Sequence, residues 1–320
     1  MSDKIFCIGE MLIDFICTDI DTDLANGEGF RKHAGGAPAN VAAAIAKLGG
    51  SAGFIGSVGD DPFGSFLRRS VIETGVDDSM MISTAAAPTT LAFVSLKADG
   101  ERDFVFNRGA DAELGLGDIN LEEIEKAKIV HFGSATALLE GRLRETYLEL
   151  IDLCREKNIF VSFDPNYRID LWRNNEDEFK SLSLQCISKS DFIKLSEEEL
   201  YLLSGCDELH AAVDALPRPE FSILCITLGS RGTLVDAGSR RIIESVRIKS
   251  IDSTGAGDAF TGACLLKAAE IPDAFSLSSD ETALNDIIAF SNKVGAIVCT
   301  KLGAISAIPT LAEVASAFPA

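Results

Sequence analysis

Basic residues are scarce in this sequence. Its 320 residues include 29 Lys and Arg against 49 Asp and Glu, which gives a formal net charge of −20. Binding to nucleic acid or to a membrane surface requires basic patches, so the charge argues against both partners. A site for one small anion is still compatible with this charge, because backbone amides and one or two cations are enough to build it.

Long apolar runs are also missing. No stretch of about 18 residues is apolar enough to span a bilayer. The first apolar segment is interrupted by Glu10 and Asp14, which is typical of a buried strand rather than of a signal peptide. The sequence therefore predicts a soluble protein located in the cytoplasm.

Metal-binding and nucleotide-binding patterns of the common kinds are absent as well. The eight cysteines form no CxxC pair and the three histidines show no ligand spacing, so free thiols in a reducing compartment are predicted. No GxxxxGK[ST] sequence occurs, and the GxGxxG pattern fails at Gly255 because residue 260 is Phe. Neither a P-loop NTPase nor a standard dinucleotide-binding enzyme is indicated.

The chain does have a regular alternation of short apolar runs and amphipathic segments. The runs are rich in β-branched and aromatic residues, which is typical of strands buried on both faces of a parallel sheet. This pattern predicts a doubly wound three-layer α/β/α fold, in which ligands bind at the carboxyl ends of the strands. The predicted strands are Ile5–Ile8, Gly53–Val58, Ile129–Phe132, Phe160–Phe163, Phe192–Leu195 and Ser222–Leu228. The predicted helices are Asn40–Leu48, Pro62–Thr74, Arg142–Glu156, Glu197–Leu203, Gly255–Glu270 and Glu281–Cys299.

Two segments break the alternation. Leu91–Leu96 and Arg102–Asn107 flank an Asp99-Gly100 pair, which is typical of a β-hairpin. Phe15–Lys32 is extended in character and forms no good helix. Because these segments cannot join the main sheet, we expect them to form a small separate sheet that acts as a lid.

The lid is expected to come from residues of about 11–34 and 88–110, within one domain that spans residues 1–320. A small sheet of this kind has exposed strand edges, which a second subunit could cover. A homodimer joined through the lid is therefore expected.

The sharpest local feature is the loop-to-helix segment that carries Gly255, Ala256, Gly257 and Asp258. Unpaired N–H groups and the helix dipole favour an anion at such a helix start. Asp258 could merely complement the dipole. However, Gly-Ala-Gly is a poor way to begin a helix unless a ligand must approach closely, so a phosphate cradle beside a general base is the functional hypothesis.

Four further segments contain candidate site residues. Gly35 and Gly36 precede Asn40, which could bind hydroxyl groups or simply cap the following helix. Asn166 and Arg168 follow a predicted strand and suit hydroxyl or phosphate recognition, although an ordinary Asp-Pro turn explains them equally well.

The last two candidates each have a simple structural explanation. Ser196 and Glu199 match a capping box, which does not exclude a role for Glu199 near a metal. The turn 227–232 could be an ordinary β-turn or a nucleotide-contacting loop.

Together these motifs resemble the PfkB (ribokinase-like) family of sugar kinases over essentially the whole chain. Gly35-Gly36 with Asn40 matches the first family signature, and Asp252 through Asp258 matches the second. Within the family the sequence is most similar to the fructokinase subgroup, as judged from the segments 35–42, 108–111, 164–168 and 194–199. The resemblance implies ATP-dependent phosphorylation of a sugar hydroxyl, with D-fructose converted to fructose 6-phosphate.

The resemblance also assigns roles. Asp258 matches the catalytic base, and the amides of Gly255, Ala256 and Gly257 match the anion hole that holds the transferring phosphoryl group. The residues that match or suit sugar contacts are Asp14, Gly35, Gly36, Asn40, Arg108, Asn166 and Arg168. The residues that match nucleotide contacts are Lys194, Thr227, Gly229, Ser230, Gly232, Gly255, Gly257 and Asn292.

The family implies metal ions in addition to ATP. Glu199 matches a residue linked to Mg²⁺ through water, although Ser196 occupies the place of the usual family asparagine. Asp252 and Thr254 match a possible monovalent cation site, for which K⁺ is the expected ion.

Two alternatives to a fructokinase remain open from the sequence. The acceptor could be 2-keto-3-deoxygluconate, ribose or a nucleoside, since Arg108 and Arg168 would also suit a carboxylate-bearing sugar acid. The chain could instead be a sugar- or nucleotide-binding protein that has lost catalysis, which the intact Asp258 and its glycine loop argue against.

Overall fold

A computed structural model describes residues 3–96 and 102–318 of the chain. Its strands, in chain order, are β1 (Ile5–Ile8), β2 (Leu12–Cys17), β3 (Phe30–Gly35), β4 (Ala52–Gly59), β5 (Asp77–Thr84), β6 (Leu91–Leu96), β7 (Arg102–Asn107), β8 (Ile129–Gly133), β9 (Phe160–Asp164), β10 (Phe192–Ser196), β11 (Ile223–Thr227), β12 (Thr233–Asp236) and β13 (Arg240–Ile243). The α-helices are α1 (Ala37–Lys47), α2 (Pro62–Glu73), α3 (Leu121–Ile124), α4 (Arg142–Glu156), α5 (Ile169–Trp172), α6 (Glu176–Ile187), α7 (Glu197–Ser204), α8 (Leu209–Asp214), α9 (Ala256–Glu270), α10 (Glu281–Val298) and α11 (Leu311–Ala317).

Nine strands form the main sheet, in the order β13-β12-β11-β10-β9-β8-β1-β4-β5. The strands from β11 to β5 run parallel, whereas β12 and β13 continue the β11 edge antiparallel. Successive residues of β1 enter different cores: Ile5 and Cys7 pack in one apolar cluster, Phe6 and Ile8 in the other. Helices therefore cover both faces, and the predicted doubly wound α/β fold is confirmed.

Four strands form a separate small sheet in the order β3-β2-β6-β7. β6 and β7 pair antiparallel as the predicted hairpin, whose turn residues lie outside the described part of the chain. One face of the small sheet packs on α2, where Phe15 and Phe63 meet edge to face with ring centroids 5.7 Å apart. The Lys32 ammonium lies 4.0 Å from the Phe66 ring centroid on the same helix.

The start of α1 differs from the sequence-based expectation. The helix begins at Ala37 with Gly36 as its N-cap, so Asn40 lies in the first turn and its alternative assignment as the N-cap is wrong. Gly36 has φ +117°, and a Cβ there would lie 2.4 Å from the Glu10 carbonyl oxygen, so only glycine fits this entry to the helix. The side chain of Asn40 is therefore available for other contacts.

All eight cysteines are free, as predicted. None of the helices in residues 3–96 and 102–318 combines the length and the apolar character that crossing a bilayer requires.

Candidate active site

The predicted base, Asp258, lies in the first turn of α9 and is 9% exposed. Asn40 Nδ2 donates a hydrogen bond to Asp258 Oδ2 at 2.8 Å, and the side chain of Asn166 is close enough to lower the pKa of this carboxyl group. The contact with Asn40 depends on a close crossing of α1 and α9. Gly262 makes this crossing possible, because a Cβ there would lie 2.6 Å from Ala44 Cβ.

Burial raises the pKa of Asp258 above the usual range of an aspartate. The hydrogen bond from Asn40 and the charges of Lys194 and Arg168 oppose that shift. A carboxylate that is desolvated but held by donors combines basicity with a fixed orientation. These are the properties required of a general base toward a bound hydroxyl.

The amides that precede Asp258 face the same end of the helix. Gly255 adopts the left-handed conformation with φ +76° and caps α9. Within the described residues, the N–H groups of Gly255 and Gly257 have no hydrogen-bond acceptor, whereas the Ala256 N–H donates to the Ser253 carbonyl at 3.2 Å. The structure therefore leaves two of the three predicted anion-hole amides free for a ligand.

Lys194 supplies a buried positive charge beside these amides. Its Nζ lies 3.0 Å from Asp164 Oδ2, and a Cβ placed on Gly257 would lie 3.2 Å from the same nitrogen. Burial disfavours the ammonium, but the carboxylates of Asp164 and Glu199 outweigh it and raise the pKa of Lys194. A permanent cation therefore lies at the N-terminal end of α9, where the anion hole is predicted.

Several of the predicted sugar contacts lie close to one another. Burial raises the pKa of Asp14, on β2, to about 6, and the Arg168 guanidinium opposes this shift. Gly35, on the adjacent strand, lies against Asp14, since a Cβ there would be 2.0 Å from Asp14 Oδ2. Asn40 Oδ1 is buried and receives no hydrogen bond from the described residues, so it can accept one from a ligand hydroxyl.

Arg108 is the predicted sugar contact whose surroundings differ most from expectation. Its guanidinium donates from Nε to Asp111 Oδ2 at 3.3 Å, from Nη2 to the Thr136 carbonyl at 3.0 Å and from Nη1 to the Glu140 carbonyl at 2.5 Å. These contacts tie the end of β7 to the loop that follows β8. Arg108 as a direct sugar contact stays a prediction.

The predicted nucleotide loop follows β11, next to the end of β10. Thr227 lies opposite Ser196 in the paired strands, and its hydroxyl donates to the Leu195 carbonyl at 3.3 Å. Gly229 and Gly232 both have positive φ and bracket the exposed Ser230 in a short 3₁₀ turn. The loop exposes Gly229, Ser230 and Arg231 directly after β11.

Asn292 lies in α10 and is already hydrogen-bonded at both ends of its amide. Its Nδ2 donates to the carbonyls of Ile243 and Glu244 at 3.1 and 3.3 Å, and its Oδ1 accepts from Thr233 Oγ1 at 2.7 Å. These contacts fasten α10 to the antiparallel edge of the main sheet. An adenine contact by this amide stays a prediction.

The candidate metal residues are likewise engaged with the chain. The capping box of α7 is confirmed: Glu199 Oε2 accepts the Ser196 N–H, and Glu199 Oε1 accepts the Tyr167 N–H, each at 2.7 Å. Asp252 Oδ1 accepts from Thr254 N and Oγ1 at 3.0 and 2.7 Å. Across residues 3–96 and 102–318 no group of three or more His, Cys, Asp or Glu residues could hold a metal ion.

Two buried carboxyl groups close to the site were missed by sequence reasoning. Glu10 and Asp111 are each 1% exposed. Glu10 was noticed as a break in an apolar run and Asp111 as part of a subgroup segment, but neither observation predicted a contact. A carboxylate two residues after a buried strand, as Glu10 is, was the available signal, since charged groups are almost never fully buried without partners.

Comparisons with known proteins show which family this chain resembles. The model of the pfkB family carbohydrate kinases matches residues 2–311. Fructokinase-1 of Oryza sativa subsp. japonica is 40% identical over 317 residues, which cover 98% of this chain and 97% of that protein. The crystal structure of a Xylella fastidiosa fructokinase with bound ATP superposes with a TM-score of 0.89 at 33% identity, covering 99% of this chain and 98% of that one. A fructokinase double mutant from Vibrio cholerae O395, with fructose, ADP and potassium ion bound, has a TM-score of 0.85 at 30% identity and coverage of 99% and 98%.

Proposed function

We propose that this chain, which belongs to the pfkB family of carbohydrate kinases, transfers the terminal phosphoryl group of ATP to D-fructose and yields fructose 6-phosphate. The observation that carries this proposal is the position of Asp258, a buried carboxylate between the Asn40 amide and the free amides of Gly255 and Gly257. Identity of 40% to a plant fructokinase over 98% of the chain supports fructose as the acceptor.

The residues divide the reaction between them. Asn40 Oδ1 and Asp14 accept hydrogen bonds from sugar hydroxyls, which orients the acceptor toward Asp258. Asp258 takes the proton of the attacking sugar hydroxyl. At the same time the sugar oxygen bonds to the terminal phosphorus of ATP, and the bond from that phosphorus to the ADP oxygen breaks. The amides of Gly255 and Gly257 stabilise the charge of the phosphoryl oxygens during this transfer, together with the Lys194 ammonium.

We expect Mg²⁺ to accompany ATP and to neutralise charge on its phosphates. Glu199 gives both carboxylate oxygens to backbone N–H groups, so it fits a metal contact made through water rather than direct ligation. Asp252 and Thr254 are proposed to hold K⁺, and the potassium ion in the Vibrio cholerae relative supports a monovalent cation in this protein.

The small sheet is proposed to act as a lid that excludes water from the reacting groups. Asp14, which lies on β2 of the small sheet, is one of the proposed sugar contacts, and this supports the role of the sheet as a lid. We also propose a homodimer joined through the lid and a location in the cytoplasm.

The test of the acceptor is ADP release measured with fructose, ribose, 2-keto-3-deoxygluconate and adenosine. We expect fructose to have the highest kcat/KM, because Arg108 is committed to Asp111 and to two carbonyls and so offers little to a sugar carboxylate. A higher kcat/KM for 2-keto-3-deoxygluconate would contradict the acceptor and leave the kinase chemistry intact. Tight fructose binding without ADP release would instead favour a binding protein.

The pH dependence of turnover provides a further prediction. Burial raises the pKa of Asp14 to about 6 and also raises that of Asp258, and both carboxyl groups act in their ionised forms. Because a raised pKa brings protonation closer to neutral pH, activity should be lost as the pH falls through about 6, roughly tenfold per pH unit for each of the two carboxyl groups that becomes protonated. The measurement is kcat/KM for fructose between pH 4.5 and 9. A profile that stays flat down to pH 4.5 would show that neither pKa is raised.

A further inference from the structure

The segments that lead into and out of the small sheet meet at one loop of the main layer. This loop, residues 134–140, follows β8. Thr90 immediately precedes β6, and Arg108 immediately follows β7. Asp111 lies three residues beyond Arg108, so all three residues belong to the connections between the two sheets.

Asp111 joins these connections to the loop. It is 1% exposed, and its Oδ1 accepts a hydrogen bond from the hydroxyl of Thr90. Its Oδ2 accepts from Thr136 Oγ1 at 2.7 Å and from Arg108 Nε at 3.3 Å. One carboxylate therefore holds both ends of the β6–β7 hairpin and one residue of the main layer.

Arg108 extends the same connection. Its remaining guanidinium contacts go to the carbonyls of Thr136 and Glu140, within the loop after β8. The Gly109 N–H donates to Thr90 Oγ1 at 3.0 Å, and the Ala110 N–H donates to the Pro88 carbonyl at 2.8 Å. The two chain segments at the base of the hairpin are thus fastened to each other.

The connection continues to the proposed sugar contact. The Thr90 carbonyl accepts a hydrogen bond from the Ile13 N–H at 3.0 Å, and Ile13 directly precedes Asp14. Asp14 is opposite Ala92 in the β2–β6 pair. The position of the Asp14 carboxyl is therefore set by a short chain of contacts that begins at Asp111.

A second carboxylate fastens the other end of the small sheet to the same loop. Glu10 Oε2 accepts from the hydroxyl of Ser134, and Glu10 Oε1 accepts the Ala37 N–H at 3.0 Å. Ser134 Oγ in turn accepts the Ala137 N–H at 2.9 Å. Glu10 precedes β2 and Ala37 follows β3, so contacts from this end of the small sheet also reach residues 134–140.

We propose that Asp111 is a positioning residue for the sugar: it fixes Thr90 and Arg108, and through them the small sheet and Asp14, relative to Asp258. The loop 134–140 is the part of the main layer to which these residues fasten the small sheet, and this geometry depends on it. A buried carboxylate adds little to stability compared with a well-packed apolar group, but it specifies one arrangement of its donors. Arg108 acts in this arrangement as a partner of Asp111.

The kinetic test of this role, the KM for fructose, rests on the proposed sugar kinase function. The structural test, hydrogen exchange in the small sheet, does not depend on that function. In Asp111→Asn, we expect the KM for fructose to rise about tenfold while the KM for ATP changes less than about twofold. In the same variant, hydrogen exchange at the backbone amides of β2 and β6 should become faster by about tenfold or more. Thr136→Val, which removes one hydroxyl donor to Asp111, should change both quantities in the same direction by a smaller factor.

The chain offers a matched control in Asp191, a buried carboxylate that pairs with Arg155 at 2.6 Å and accepts the Val161 N–H. Asp191 lies at the opposite ends of the strands, just before β10. Asp191→Asn should lower the melting temperature without changing the fructose KM or the exchange of β2 and β6. Unchanged fructose KM and exchange in Asp111→Asn, or equal changes in Asp191→Asn, would overturn the proposal. Absence of turnover with fructose in the unmodified protein would instead refute fructose as the acceptor. The hydrogen-exchange result would still show whether Asp111 positions the small sheet.

Discussion

Asp258→Asn is expected to lower kcat for fructose phosphorylation by about a thousandfold, because the variant keeps the shape of the side chain and loses its ability to accept a proton. The KM for ATP should change little, since the free amides of Gly255 and Gly257 belong to the backbone. The measurement is steady-state ADP release with fructose, together with ATP binding by calorimetry.

The control for this experiment is another buried aspartate. Asp236 is 5% exposed and pairs with Arg218 and Arg240 at 3.0 and 2.8 Å. It lies at the end of β12, on the antiparallel edge of the main sheet. Asp236→Asn should reduce stability and leave kcat within about threefold of the unmodified protein. If Asp258→Asn retained kcat within about tenfold, another group would have to act as the base.

The predictions that succeeded depended on short-range patterns. β1, β8, β9 and β10 begin at the residue predicted for them, because a strand buried on both faces reads as an uninterrupted apolar run. A Gly-Ala-Gly helix start is unusual, and this pattern alone led to the hypothesis of a phosphate cradle beside Asp258 as a general base. The family resemblance implies the same role, which stays a prediction.

Elements at the sheet edges escaped prediction for a physical reason. β5 reads DDSMMIST, and β13 reads RRII, and both mix charged with apolar residues because an edge strand is only partly covered. Their pairing is decided by neighbours distant in sequence. The antiparallel turn into β12 likewise depends on the positive φ of Gly232, which a glycine permits but does not require.

Contacts between residues far apart in the chain could not be predicted from the sequence either. Asn40 and Asp258 are 218 residues apart, and their hydrogen bond follows from the crossing of α1 and α9. The same reasoning applies to Asp111, whose partners come from three segments. The burial of Asp111 is recognisable only when the elements that surround it are known.

Lys194→Met is expected to reduce both turnover and stability. The ammonium lies between Asp164 and the anion-binding end of α9, so its loss removes a charge that stabilises the transferring phosphoryl group. We expect kcat to fall by about a hundredfold or more. Stability should fall by about 3–5 kcal/mol, because Asp164 is left buried without its cation. Denaturant unfolding and ADP release measure the two effects separately.

The double variant Asp164→Asn with Lys194→Met separates the catalytic role of the lysine from its structural role. Asp164 is 1% exposed, and burial raises its pKa to about 6 even beside Lys194, so neutralising it removes the unpaired charge. The double variant should therefore regain most of the stability lost in Lys194→Met while kcat remains low. Turnover close to that of the unmodified protein would mean that Lys194 serves mainly to neutralise Asp164. In that case the anion hole would consist of the Gly255 and Gly257 amides and the dipole of α9 alone.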